Sequence, residues 1–204
     1  MQEKKKRTPN AERSAQMRHV LVDAARALFA ERGYAATGTP EIVAAAQVTR
    51  GALYHHFADK AALFLAVVEA EQAVVMAEIE LHAAAVTDPI GSIISGGEAF
   101  LVAMEVQGRH RILLLDAPAV FDRATLDAVE DEAGRKVLAE AITKAQAEDR
   151  FPEGDPAIYA DLANALYDRA ALSIAAVPEG PTRSQISLRY RKALAALWTT
   201  LATG

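Results

Sequence analysis

The chain has 204 residues, 51% of them hydrophobic and 24% charged, which is enough apolar material for one or two packed cores and too much for a disordered chain. It has no cysteine, which removes disulfides, thiolate metal sites and cysteine nucleophiles, and no run approaches the roughly 20 apolar residues that a membrane-spanning helix needs. The net charge of -5 is unevenly spread: the first 60 residues hold ten Lys and Arg against six Asp and Glu, so a polyanionic partner is to be sought at the N-terminal part.

Abundant alanine, leucine and glutamate, few aromatics and recurring helix-length apolar periods predict an all-α fold. The opening residues, Met1 to Arg7, are basic but lack the apolar stretch of a secretion signal. A cytoplasmic protein with a disordered basic tail over residues 1–9 is expected. A first helix is predicted from about Ala11 to Arg32, carrying Val20, Leu21, Ala24, Ala25, Leu28 and Phe29 on one stripe and ended by Gly33. Thr39 reads as the N-cap of a short second helix, Pro40 to Ala46, with Pro40 at a first-turn position and Glu41 at the positive helix start. Gln47-Val48-Thr49 is a tight connection, and Thr49 caps a third helix from Arg50 to about Phe57.

Asp59 caps a long fourth helix through Leu63, Phe64, Val67, Val68, Val74, Val75 and Ile79, so the boundary after the N-terminal unit falls inside a helix. Past it, Pro89, Gly108, Pro118, the stretch Phe151 to Pro156 and the stretch Pro178 to Gly180 punctuate the chain. They leave helices near 89–107, 109–116, 122–149, 156–177 and 181–201. The organisation expected is a three-helix unit at 10–60 joined through the fourth helix to a larger helical remainder, 61–204.

Two short helices joined by a three-residue turn describe a helix-turn-helix, whose last helix lies in the DNA major groove. Leu53 and Phe57 lie one turn apart and face inward with Val48, Ile42 and Phe29. Arg50, Tyr54, His55 and Lys60 are left facing outward. A helix this short is not stable alone, so its apolar side has to be packed for its polar side to be held rigidly.

The run Ala30-Glu31-Arg32-Gly33-Tyr34, followed by Thr39, Ile42, Ala46, Val48, the segment Thr49 to Phe57 and Lys60, resembles the DNA-binding domain of the TetR/AcrR family of regulators over residues 14–65. The resemblance implies a homodimer whose C-terminal part binds ligand and forms the dimer. It implies repression of a palindromic operator that a small molecule relieves. It assigns DNA contacts to Thr39, Val48, Thr49, Arg50, Gly51, Tyr54, His55, His56 and Lys60. Arg50 can reach a guanine edge or a phosphate, Gly51 lets the backbone approach, Tyr54 and His56 suit phosphates, and His55 suits a base or a thymine methyl. Thr39 and Lys60, near helix starts, suit phosphate. The family usually has glycine at the position of Gln47, where the turn tends to need a positive φ.

For the C-terminal part, the resemblance places the last two helices in a dimeric four-helix bundle, with Leu162, Leu166, Tyr190, Leu194, Leu197 and Trp198 at the interface. Phe100, Met104, Leu114, Phe121, Asn164 and Tyr167 are the candidates for an effector pocket, since they combine aromatic or flexible apolar bulk with isolated polar groups; ordinary core packing accounts for most of them equally well. Arg109-His110-Arg111 either steers an acidic ligand or is a solvated, paired face. No metal or cofactor is expected, because His19, His82 and His110 form no i, i+4 pair and adjacent His55 and His56 project apart. A helical-bundle enzyme is the competing class, but no acid, base, nucleophile or metal cluster stands at recognisable spacing. A DNA-binding architectural or activating protein without an effector is the third reading.

Overall fold

Pro9 opens the first helix, α1 (Pro9–Arg32), and Gly33, at φ 85°, ends it by donating its N–H to the Phe29 carbonyl at 2.9 Å. The computed structural model describes residues 9–129 and 132–202; the basic tail expected at 1–9 therefore lies outside the described residues, apart from Pro9. The second helix, α2 (Thr39–Ala45), starts one residue earlier than expected. Gly38 is its N-cap and Thr39 already helical, because Glu41 reaches back to accept the Gly38 N–H at 2.9 Å. The same carboxylate takes an Arg32 Nη1–H at 2.7 Å and so ties the end of α1 to the start of α2.

The connection to α3 (Arg50–His56) turns on Gln47, whose φ of 55° is left-handed. Thr49 caps α3 as expected, its Oγ1 accepting the Ala52 N–H at 3.1 Å. The buried faces of these helices meet around Leu21, Phe29, Ile42 and Leu53, all 0% exposed. Phe64, from α4 (Lys60–Ala84), stands edge-on to Phe29 at 4.9 Å and lies 4.7 Å from the Tyr34 ring.

Two units result, residues 1–68 and 69–204, and the division falls within α4. In the second, α5 (Pro89–Met104) is capped by Asp88, which accepts the Gly91 N–H at 2.7 Å. It ends three residues before the expected Gln107, and Gly108 turns the chain at φ 75°. The piece expected at 109–116 is a π-helical segment, Arg111–Asp116, that runs on into α6 (Ala117–Val120), with Pro118 inside the first turn of α6 where it breaks nothing.

The single helix expected over 122–149 is two, α7 (Arg123–Val129) and α8 (Glu132–Ala147). Last come α9 (Pro156–Ala175) and α10 (Pro181–Leu201). Helix α9 packs against α8, α5 and α10, and it does so through alanine: Ala160, Ala163, Ala170 and Ala171 are all buried. The fold is all-α, and no helix among the described residues is long and apolar enough to cross a membrane.

Candidate DNA-reading surface and interior cavity

Helix α3 carries the reading surface because its apolar side is fully used. Leu53 is 0% and Phe57 4% exposed, and the Arg18 guanidinium covers the Phe57 ring at 5.0 Å. Arg50, Gly51, Tyr54 and His55 are consequently exposed, and His56 is half-buried with its ring 5.2 Å from that of His55. Thr39, Arg50 and Tyr54 come together: the nearby Thr39 side chain and the Arg50 guanidinium favour the ionised Tyr54 hydroxyl and hold its pKa below the ordinary tyrosine value. The Arg50 guanidinium also lies 5.4 Å from the Tyr54 ring centre. A residue of α2 and two of α3 thereby share one surface patch.

Thr49 is exposed and Val48 half-buried beside it. A Cβ on Gly51 would meet only Thr49 Oγ1, at 3.9 Å, so the protein itself gives no reason for glycine there. Lys60 does more than the sequence suggested. Its ammonium donates to the carbonyls of Tyr34 at 3.0 Å and Thr37 at 3.1 Å and sits 4.0 Å over the Tyr34 ring, so it pins the loop between α1 and α2. Thr37, 1% exposed, closes that loop from inside by donating to the Gly33 carbonyl at 2.8 Å.

The second unit contains a cavity of about 390 Å³, within the range of small-molecule sites. Phe100, Met104, Leu114, Asn164 and Tyr167 line it as proposed from sequence, whereas Phe121 does not. The sequence reading missed the contribution of α4, which supplies Gln72, Val75, Met76, Ile79 and Ala83, and that of Gly96 and Gly97. The adjacent glycines were the available signal, since each costs about 1 kcal/mol against alanine in a helix interior and so calls for a packing reason. Gly97 has one: a Cβ there would lie 2.0 Å from the Tyr167 hydroxyl. A Cβ on Gly96 would lie 3.3 Å from Ile79 Cγ2 of α4, closer than ordinary contact.

Arg109 is neither a ligand-steering cation nor part of a solvated face. Its Nε donates to Glu71 at 2.6 Å and its Nη1 to the Ala103 carbonyl at 2.9 Å, with both side chains of the ion pair 9% exposed. His110 beside it is half-buried, and burial lowers its pKa. Trp198 and Leu194, expected at a dimer interface, are instead core residues of the single chain at 3% and 8% exposure. The Trp198 indole stacks on Phe151 and donates its N–H to the Tyr167 hydroxyl. The large apolar residues that do stand exposed on these helices are Leu162 and Leu166, joined by Ile158 on α9, and Leu197, joined by Leu188 on α10; Tyr190 is half-buried.

A three-helix unit with a rigidly backed, outward-facing third helix defines a helix-turn-helix protein. Residues 21–67 match the family model for bacterial regulatory proteins of the tetR family, and residues 90–197, more than half of the chain, match the tetracyclin repressor-like C-terminal domain. The chain belongs to the TetR family of DNA-binding transcriptional regulators.

Its fold is similar along nearly its whole length to a TetR-family transcriptional regulator of Pectobacterium atrosepticum, with a TM-score of 0.75 and 29% identity over 97% of this chain and 99% of that one. It is 35% identical over 98 residues, 48% of the chain and 46% of the relative, to the HTH-type transcriptional regulator AcrR of Shigella flexneri. The chain spans less than half the length of the first such curated relatives it matches. AibR, whose structure is of a complex with isovaleryl coenzyme A and operator DNA, shares the fold at a TM-score of 0.69 and 20% identity, covering 90% of this chain and 98% of AibR.

Proposed function

We propose that this regulator is a homodimeric repressor that binds a palindromic operator through α3 and is released when a small molecule fills the cavity of residues 69–204. The observation that carries the reading is the cavity itself, about 390 Å³ in volume and lined by the same α4 whose first residue, Lys60, holds the loop behind the reading surface. A ligand that favours one position of α4 over another has a covalent route to the reading surface. AibR, with its ligand and its operator, is a precedent on this fold.

Two copies would join through the exposed apolar residues of α9 and α10, Ile158, Leu162, Leu166, Leu188 and Leu197, which otherwise face water. Symmetric pairing presents two copies of α3 to successive major grooves about 34–36 Å apart. On the DNA, Arg50 reads a base edge or phosphate, His55 a base, and Tyr54, His56, Thr39 and Thr49 the backbone, with Val48 beside them and Gly51 allowing close approach. The remaining N–H of Lys60 is available to a phosphate. The function is regulatory, not catalytic, and suits a cytoplasmic protein.

The experiment is a fluorescence-anisotropy titration against the inverted repeat nearest the protein's own gene, with wild type and Arg50→Ala at several salt concentrations. Arg50→Ala is expected to lose about 1–3 kcal/mol of binding free energy with unchanged thermal stability. Equal binding by the two proteins would remove Arg50 and its neighbours from the reading surface.

A further inference from the structure

Among the donors of the cavity wall, the buried Tyr167 hydroxyl is left uncommitted by the fold. Tyr167 is 7% exposed and lies over Gly97, itself a lining residue, so the phenol reaches this place only because α5 has no side chain there. Its oxygen accepts the Trp198 Nε1–H at 3.0 Å, which orients it; among the described residues no acceptor takes the O–H proton. Burial raises the Tyr167 pKa to about 12, and the proton therefore stays on oxygen at any physiological pH.

The surroundings select what can use that donor. Val75, Ile79, Phe100, Leu113 and Leu138 make the adjoining walls apolar. The cation among the described lining residues, Arg123, is exposed and already lies 2.8 Å from Asp127. An anion brought to the buried Tyr167 hydroxyl would lose hydration with no uncommitted cation among the described lining residues to replace it. A cation carried to Tyr167 would face a donor where it needs an acceptor.

Resting on the reading of this cavity as the effector site, we propose that its ligand is an uncharged, largely apolar molecule with a carbonyl-type oxygen that accepts the Tyr167 proton, completing the chain Trp198 N–H to Tyr167 O–H to ligand oxygen. Hydrogen bonds in such a chain polarise one another, so Trp198 senses the ligand through the phenol without touching it.

Trp198 is the only tryptophan in the sequence, and its fluorescence in the full-length protein reads the test. Four eight-carbon probes differing in the head group are titrated: octan-2-one, octanoate, octylammonium and octane. Octan-2-one is expected to bind about tenfold or more tighter than either charged probe, with its carbonyl stretch moved to lower wavenumber in the complex. In Tyr167→Phe the ketone is expected to bind roughly three- to tenfold more weakly and to lose that infrared shift, while octane binds as before.

An unshifted carbonyl in the wild-type complex, or a charged probe that binds as well as the ketone, overturns the proposal and leaves the cavity an effector site for another chemistry. If Tyr167→Phe loses octane along with the ketone, the ring and not the hydroxyl is what matters, and the proposal fails. No binding by any probe overturns both the proposal and the effector reading beneath it.

Discussion

In residues 1–68 the rings of Phe29, Tyr34 and Phe64 close on one another and fill the centre, so polar side chains are sent outward, where α3 displays them. In residues 69–204 the close approaches are made by small residues, Gly96 and Gly97 on α5 and the buried alanines of α9, and the aromatic rings of Phe100 and Tyr167 stand at the edge of unfilled space. A surface that reads a fixed groove needs rigid backing, and filling supplies it. An interior that admits a guest needs room, which comes from drawing backbones together in one place and keeping side chains apart in another.

The contrast extends to charge. Among the described residues, the first unit keeps its ions at the surface or bonded to carbonyls, whereas the second buries the Glu71–Arg109 pair. Removing one partner of that pair is expected to have the largest effect: Glu71→Ala should cost about 3–5 kcal/mol in urea unfolding, while Glu71→Leu combined with Arg109→Met should recover most of it. Recovery would show that the unit needs volume there and not charge. Leu53→Ala comes next, with a loss of about 2–5 kcal/mol from a fully buried site, seen as a lower melting temperature together with lost operator binding.

Gly51→Ala separates the two demands on α3. It should raise stability by about 0.5–1 kcal/mol, since nothing in the protein crowds a Cβ there, and should weaken operator binding in the same preparation. A variant that gained stability and kept its affinity would show that the helix backbone does not approach DNA closely. The smallest effect is expected at the turn. Gln47→Gly relieves the positive φ, and after the added freedom of the unfolded chain is subtracted the gain should be below about 1 kcal/mol by thermal melts.

The reading head was legible in the sequence because its signals are local. Thr49 three residues before an N–H it caps, Leu53 and Phe57 one turn apart, and Gln47 in a position that wants a positive φ are each decided within a few residues. Thr39 was misplaced as a cap because Glu41 lets a glycine do that work, a difference of one residue that the threonine preference hides.

The cavity was legible only in part. Five of the six proposed lining residues reached it, but nothing local distinguishes an aromatic that borders a void from one that fills it, and so Phe121 was included and Gln72 and Met76 were not. Trp198 was misread for a related reason. Broad apolar faces on α9 and α10 serve both a core and an exposed surface, and periodicity does not say which side carries the ring.

The π-helical segment at Arg111–Asp116 bears on how lengths of related chains are to be compared. Its hydrogen bonds span five residues where an α-helix spans four, so the segment accommodates one residue more than an α-helical path between the same ends would use. A relative one residue shorter here can follow the same course as plain α-helix, and its side chains match these only if a single gap is opened between Gly108 and Ala117. Aligned without that gap, every position from there to the next gap is compared with its neighbour, and Leu113 and Leu114 of the cavity wall are credited with the wrong counterparts.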